Sequence, residues 1–238
     1  MKVAAYQAPL LPIAAPRGRA IALIRQQLDW CEAQGVSILC CPEAVLGGLS
    51  DYTTRPEQIA VGRGELRAVL APLASDTVST IVGFTESADG QFYNSAAVWH
   101  RGAVLDVYRK RHPAINRSIY TPGDSSPVFR VGDLVFGLLI CNDSNHPELA
   151  RDMAARGAKA LFVPTNNALT PDRANVVADA RRVDATLAAE LRVAVIRADV
   201  AGREDGLLLY GSTGITAPGG ALLQAARAHD PDVVVAEV

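Results

Sequence analysis

GLLICNDSNHPELARDMAARGAKALFVPTN, residues Gly137 to Asn166, holds a whole supersecondary unit in one stretch. It opens as an apolar run ending at Cys141, turns abruptly polar, reads as a helix from Pro147 to Ala158, and closes in a second apolar run, KALFVPTN. Strand, helix and strand in that succession mark an α/β chain. The polar turn poses the functional question. A cysteine at the end of an apolar strand is either a small core residue or a nucleophile held on the rim of a sheet.

The same alternation continues on both sides. Upstream, VFRVGDLVFGLLIC reads as a hairpin delivering Cys141, and FYNSAAVWHRGAVLDVYRK as another, with a tight turn at His100-Arg101-Gly102 and Lys110 at its end. KVAAYQAP is strand-like. Arg17 to Gln34 then places Ile21, Ile24, Leu28 and Cys31 on one helical face before Gly35 ends it. VSILCCPE is a nearly continuous apolar run, the pattern of a strand covered on both faces, and it ends at Glu43. Gln58 to Ala74 reads as a helix and TVSTIVGFTE as a buried strand; GRGELR carries a GxG but no phosphate-binding turn. Downstream, Pro171 to Arg192 is helical, VAVIRADV a strand, and GSTGITAP and DVVVAEV close the chain as short strands. No linker, short repeat or low-complexity tract interrupts residues 1–238, which read as a single domain.

Composition narrows the class. With 49% hydrophobic and 20% charged residues, the chain can bury a large core, and a net charge of −2 offers no basic field for nucleic acid or a membrane surface. No segment is long and apolar enough to span a bilayer. Cys31, Cys40, Cys41 and Cys141 lack the spacing of a disulfide framework, which suits a reducing cytoplasm, and the four histidines are scattered without metal-binding spacing.

Three strands therefore end in Glu43, Lys110 and Cys141, and strand ends are where layered α/β folds collect reactive groups. Singly, each has an ordinary reading: a turn carboxylate beside Pro42, a solvated basic edge in YRKRH, a buried thiol.

Together they resemble the nitrilase superfamily of carbon-nitrogen hydrolases, whose catalytic set is Glu, Lys and Cys in that chain order. VAAYQAP, CCPEAVLGG, YNSAAVWHRGAVLDVYRKRHP, the Gly137–Asn166 stretch, ARRVDATLAAELRVAVIRADVAG and YGSTGITAPGG carry the likeness over almost the whole chain. The resemblance implies an αββα four-layer sandwich of two mixed sheets with helices outside. It also implies Cys141 as nucleophile, Glu43 as general base and acid, and Lys110 with the backbone N–H of Asn142 as oxyanion donors. No metal or organic cofactor enters that cycle, and the family's helical layers pair into a homodimer or higher homo-oligomer, with the Ala-rich helix from Asp172 to Arg192 a contributor. Cys-Asn-Asp resembles the amidase and carbamoyl-hydrolase branches, so the expected substrate is a small linear amide or N-carbamoyl compound. A nitrile hydrolase, a silent binding member and a thiol redox protein are the rival readings. One departure stands out: many members carry a second Glu after the Lys, whereas HPAINRSIYTPG offers Asn116 or Ser118. Asn116 is either a hydrogen-bonding partner for substrate or Lys110, or a turn residue near Pro113. Thr165, Asn166 and Asn167 either face the pocket or are loop residues, and Asp143 accepts backbone hydrogens at the turn.

Overall fold

Apolar runs of the sequence become strands of two sheets, and the amphipathic stretches become helices laid on their outer faces. The computed structural model describes residues 1–49, 55–114, 119–167, 175–204 and 207–238. In chain order the elements are β1 (Lys2–Pro9), α1 (Arg17–Ala33), β2 (Ile38–Cys40), β3 (Val61–Gly62), α2 (Arg63–Leu70), β4 (Ser79–Ala88), β5 (Gln91–His100) and β6 (Ala103–Arg109). There follow β7 (Val128–Val131), β8 (Leu134–Leu138), α3 (Pro147–Ala155), β9 (Ala160–Pro164), α4 (Asn175–Leu191) and β10 (Ala194–Ala198). The last five are β11 (Val200–Glu204), β12 (Leu207–Tyr210), β13 (Gly214–Thr216), β14 (Leu222–Ala225) and β15 (Asp232–Glu237).

Both sheets are mixed. The first runs β12-β11-β1-β2-β4-β5-β6, with β15 also paired to β1 and β3 to β4; the second runs β14-β13-β10-β9-β8-β7. Parallel pairs lie at their centres, β1 with β2 and β2 with β4 in one, β8 with β9 and β9 with β10 in the other. Strand periodicity sorts the side chains into layers. On β1, Val3 and Ala5 join the core shared with Phe136, Phe162 and Ile196 of the second sheet, while Ala4 and Tyr6 face Ile24 and Leu28 of α1. The second sheet's other side packs on Leu149 and Met153 of α3 and Leu187 of α4. The order is thus helices, sheet, sheet, helices, the expected αββα sandwich.

Two local expectations are corrected. The single helix expected from Gln58 to Ala74 is broken into a 3-10 turn at Pro56–Gln58, the two-residue strand β3, α2, and a second 3-10 turn at Ala71–Leu73. Val61 is drawn into pairing with Glu86, and Pro72, lacking an N–H, ends the α-helical ladder. The β11–β12 hairpin and β14 were not anticipated.

Candidate active site

Each of the three singled-out residues lies just past a strand. Glu43 sits three residues beyond β2 in a turn where Ala44 takes a positive φ of 49°. Its backbone rests directly on β4: a Cβ added to Gly83 would come within 2.5 Å of Ala44 N and Pro42 O, so only glycine lets the strand pass beneath this turn. Lys110 follows β6, its N–H donating to Asn94 O (2.8 Å) and its carbonyl accepting from Gly123 N–H (2.8 Å). Cys141 opens a 3-10 turn, Cys141–Asn145, with φ of 48°. A non-glycine residue held in the left-handed region costs about 1–3 kcal/mol, so the surrounding structure must over-determine this turn.

Asp143 does much of that work. Its carboxylate accepts from Ile140 N–H (3.1 Å), His112 N–H (2.7 Å) and the Tyr108 hydroxyl (2.8 Å), tying the turn after β8 to the segment after Lys110. Ser144 Oγ donates to Cys141 O (2.8 Å) and accepts from Arg197 Nη2 (3.1 Å). The structural role expected for Asp143 is what the geometry shows.

At the centre, Glu43 Oε1 accepts from Lys110 Nζ at 2.6 Å and from Asn94 Nδ2 at 2.7 Å, while Oε2 accepts from the N–H of Asn166 at 3.0 Å. Glu43 N–H in turn donates to Thr165 O (3.2 Å), so this carboxylate residue bridges the two sheets. Lys110 and Glu43 are both almost wholly buried. Burial works against the Lys110 charge, but Glu43, with Cys141 and Asp143, outweighs it and holds the ammonium above its ordinary range. The half-buried Cys141 thiol is pushed up to about 12, first by burial and then by Glu43, with Lys110 and Arg197 opposing. At neutral pH this sulfur carries its proton.

Glu43, Asn94, Lys110, Tyr120, Cys141 and Asn166 line one cavity of about 50 Å³. Cys141 and Asn166 also line a second, of about 250 Å³, with Asn142, Ser144, Asn167 and Arg197. The structure thus gathers Glu43, Lys110, Cys141 and Asn166 around one space and sets Asn142 and Asn167 on its neighbour. Thr165 does not join them: its buried hydroxyl donates to Val163 O and accepts from Arg197 Nη1, and it lines neither cavity. Asn116 lies outside the described residues. Asn167 is anchored on Asp199 through its N–H (2.9 Å) and Nδ2 (3.0 Å).

The family model for carbon-nitrogen hydrolases matches residues 2–238. The chain belongs to the carbon-nitrogen hydrolase family. Among relatives of this carbon-nitrogen hydrolase, a nitrilase from Pyrococcus abyssi is 33% identical over 214 residues, covering 86% of this chain and 78% of the relative. An N-carbamoylputrescine amidase from Oryza sativa is 33% identical over 175 residues, 66% of this chain and 58% of its own. In fold, the chain is similar to a mutant form of an amidase of Nesterenkonia AN1 from the nitrilase superfamily, with a TM-score of 0.84 at 24% identity, covering 100% of this chain and 90% of the other. The protein is a hydrolase acting on carbon-nitrogen bonds. No helix among the described residues is long and apolar enough to cross a membrane.

Sequence reasoning passed over three features of this carbon-nitrogen hydrolase. Asn94 holds Glu43, and its signal is a polar residue breaking the apolar run of FYNSAAV. Arg197, a lone cation in VAVIRADV, pairs with Asp184 of α4 while reaching both Ser144 and Thr165. The histidines are less scattered than their spacing suggests: His112 and His146 stack with ring centroids 3.5 Å apart.

Proposed function

We propose that this hydrolase is a cysteine-dependent amidase that cleaves a small linear amide or N-carbamoyl compound through a thioester, releasing ammonia or an amine. The observation that carries the reading is the 2.6 Å Lys110–Glu43 pair buried in a cavity that Cys141 also lines. Because the Cys141 thiol is held protonated, it becomes a nucleophile only as its proton leaves. Glu43 takes that proton as the sulfur adds to the carbonyl carbon. The oxyanion then accepts hydrogen bonds from the Lys110 ammonium and the backbone N–H of Asn142 in the turn beginning at Cys141. Glu43 returns the proton to the departing nitrogen, the C–N bond breaks, and a thioester is left on Cys141. Water, deprotonated by Glu43, attacks the thioester carbon; the acid leaves and the sulfur recovers its proton.

Residues 1–238 act as one catalytic unit on this reading, and the unit works as a homodimer. The exposed Leu222 and Leu223 of edge strand β14 support the pairing, since an uncovered apolar edge invites a partner. Light scattering of the purified protein tests it, a monomeric mass counting against it. A nitrile is the second candidate substrate, favoured by the relative called a nitrilase.

The decisive experiment is ammonia release across primary amides (glutamine included), N-carbamoyl amines and amino acids, and nitriles. Rapid acid quench and mass spectrometry then look for the acyl adduct on Cys141. Ammonia from an amide or carbamoyl compound, abolished in Cys141→Ala, is expected. Turnover that survives Cys141→Ala, or an adduct on Cys40 or Cys41, would overturn the assignment.

A further inference from the structure

We propose that His112, His146 and Glu148 form a binding site for a single divalent transition-metal ion of the zinc type, clamping the segment after Lys110 to the turn that begins at Cys141. The site stands apart from the amidase chemistry and does not depend on it.

The three donors already converge. His112 Nε2 lies 3.9 Å and His146 Nδ1 3.5 Å from the same Glu148 oxygen, and all three ligand atoms fall within 4.8 Å of one another. Zinc held tetrahedrally by nitrogen and oxygen at about 2.0–2.2 Å sets its ligand atoms about 3.3–3.6 Å apart. The free spacing is therefore within roughly an ångström of that geometry, and imidazole with carboxylate suits this class of ion. Water completes the coordination.

The backbone beneath the donors is fixed. His112 N–H donates to Asp143 (2.7 Å) and its carbonyl accepts from Asn142 Nδ2 (3.1 Å), while His146 and Glu148 sit at the start of α3. The rings are the movable part. They are stacked 9° from parallel, so their in-plane lone pairs run side by side, and one ring must turn out of the stack to meet the ion. Both side chains are about one-third exposed, at 34% and 35%, which leaves that rotation open.

The test is calorimetric titration of Zn²⁺ into Cys141→Ala, which removes the half-buried thiol as a competing ligand; Cys31, Cys40 and Cys41 are buried. A single binding event is expected, together with a rise in Tm on adding Zn²⁺, because the ion binds the folded state. Adding His146→Gln, or Glu148→Gln at a side chain 61% exposed, should weaken binding by at least about tenfold and remove the Tm rise while leaving the metal-free Tm in place. Co²⁺ should give the visible absorption of a low-coordinate centre, lost in the same variants. No binding to Cys141→Ala, or undiminished binding in both added variants, overturns the site.

Discussion

Asp184→Ala isolates a buried charge. Arg197 and Asp184 are each 3% exposed and joined by two contacts, Nη2 to Oδ1 at 2.5 Å and Nε to Oδ2 at 2.8 Å. Truncating Asp184 leaves a guanidinium whose remaining hydrogen bonds, among the described residues, are to the Thr165 and Ser144 hydroxyls. Breaking a buried pair from one side costs about 3–5 kcal/mol. That is a large part of the ~5–15 kcal/mol by which a domain is stable, so the variant should fold but with a much lower urea midpoint. The double variant Asp184→Leu/Arg197→Met removes both charges and keeps apolar volume. Its remaining cost is the two hydroxyls' lost donor, about 0.5–1.5 kcal/mol each, so the double variant should be more stable than Asp184→Ala by about 2 kcal/mol. Urea unfolding followed by circular dichroism, with matched m-values, measures both. Equal instability in the single and double variants would refute the buried-charge argument, as would a cost below about 1 kcal/mol for Asp184→Ala. Turnover should fall in the double variant even where stability recovers, because Ser144, which bonds Cys141 O, loses its anchor.

Alkylation of Cys141 by iodoacetamide should quicken through the alkaline range without a plateau near neutral pH, since burial and then Glu43 raise the thiol to about 12. In Glu43→Gln the profile should move to lower pH; a neutral plateau in the unmodified enzyme would mean a preformed thiolate. For Lys110→Met, loss of one oxyanion donor at about 3–4 kcal/mol predicts kcat lower by a factor on the order of hundreds; a rise in KM alone would make Lys110 a uniform binder. Glu86 is buried, which pushes its carboxyl up, yet hydrogen bonds from Arg109 and Ser95 and the charges of Arg109 and Arg63 bring it below its ordinary 4.5. A depressed folded-state pKa gives stability that is present above the unfolded value and lost as pH falls through the folded one. The stability gap between the natural protein and Glu86→Gln should accordingly narrow as pH falls from above the ordinary 4.5 to below it. A constant gap across that range would show that the Glu86 charge contributes nothing to folding.

What the sequence makes legible follows from how each segment is buried. β2, β4, β9 and β10 are covered on both faces and read as continuous apolar runs, and the stripe read on α1 is buried at Ile24, Leu28 and Cys31 and half-buried at Ile21. β14 was invisible because all four of its residues are exposed, leaving no alternation to read, and β3 is two residues long. Glu43, Lys110 and Cys141 stood out because each follows a run that must end at a sheet edge. Asn94 and Arg197 lie inside such runs, where a polar residue is compensated by partners distant in sequence, and only the folded chain shows those partners. Thr165 is the opposite case: a polar residue after a strand reads as either pocket or loop, and its hydroxyl turns inward to Arg197.

Glu43 and Lys110 ride on one sheet and Cys141 on the other; the Glu43–Thr165 and Asn166–Glu43 hydrogen bonds join the base to the far sheet, and Asp143 ties the turn after β8 to the segment after Lys110. On the proposed chemistry, the enzyme is therefore a caliper whose two jaws are the sheets. A displacement of about 1 Å between reacting groups can cost 10²-fold in rate. Turnover should then register slippage of one sheet over the other, under pressure or at a core residue made too large, well before any loss of strand or helix signal. Inactivation with the secondary structure still intact would be the signature of that misalignment.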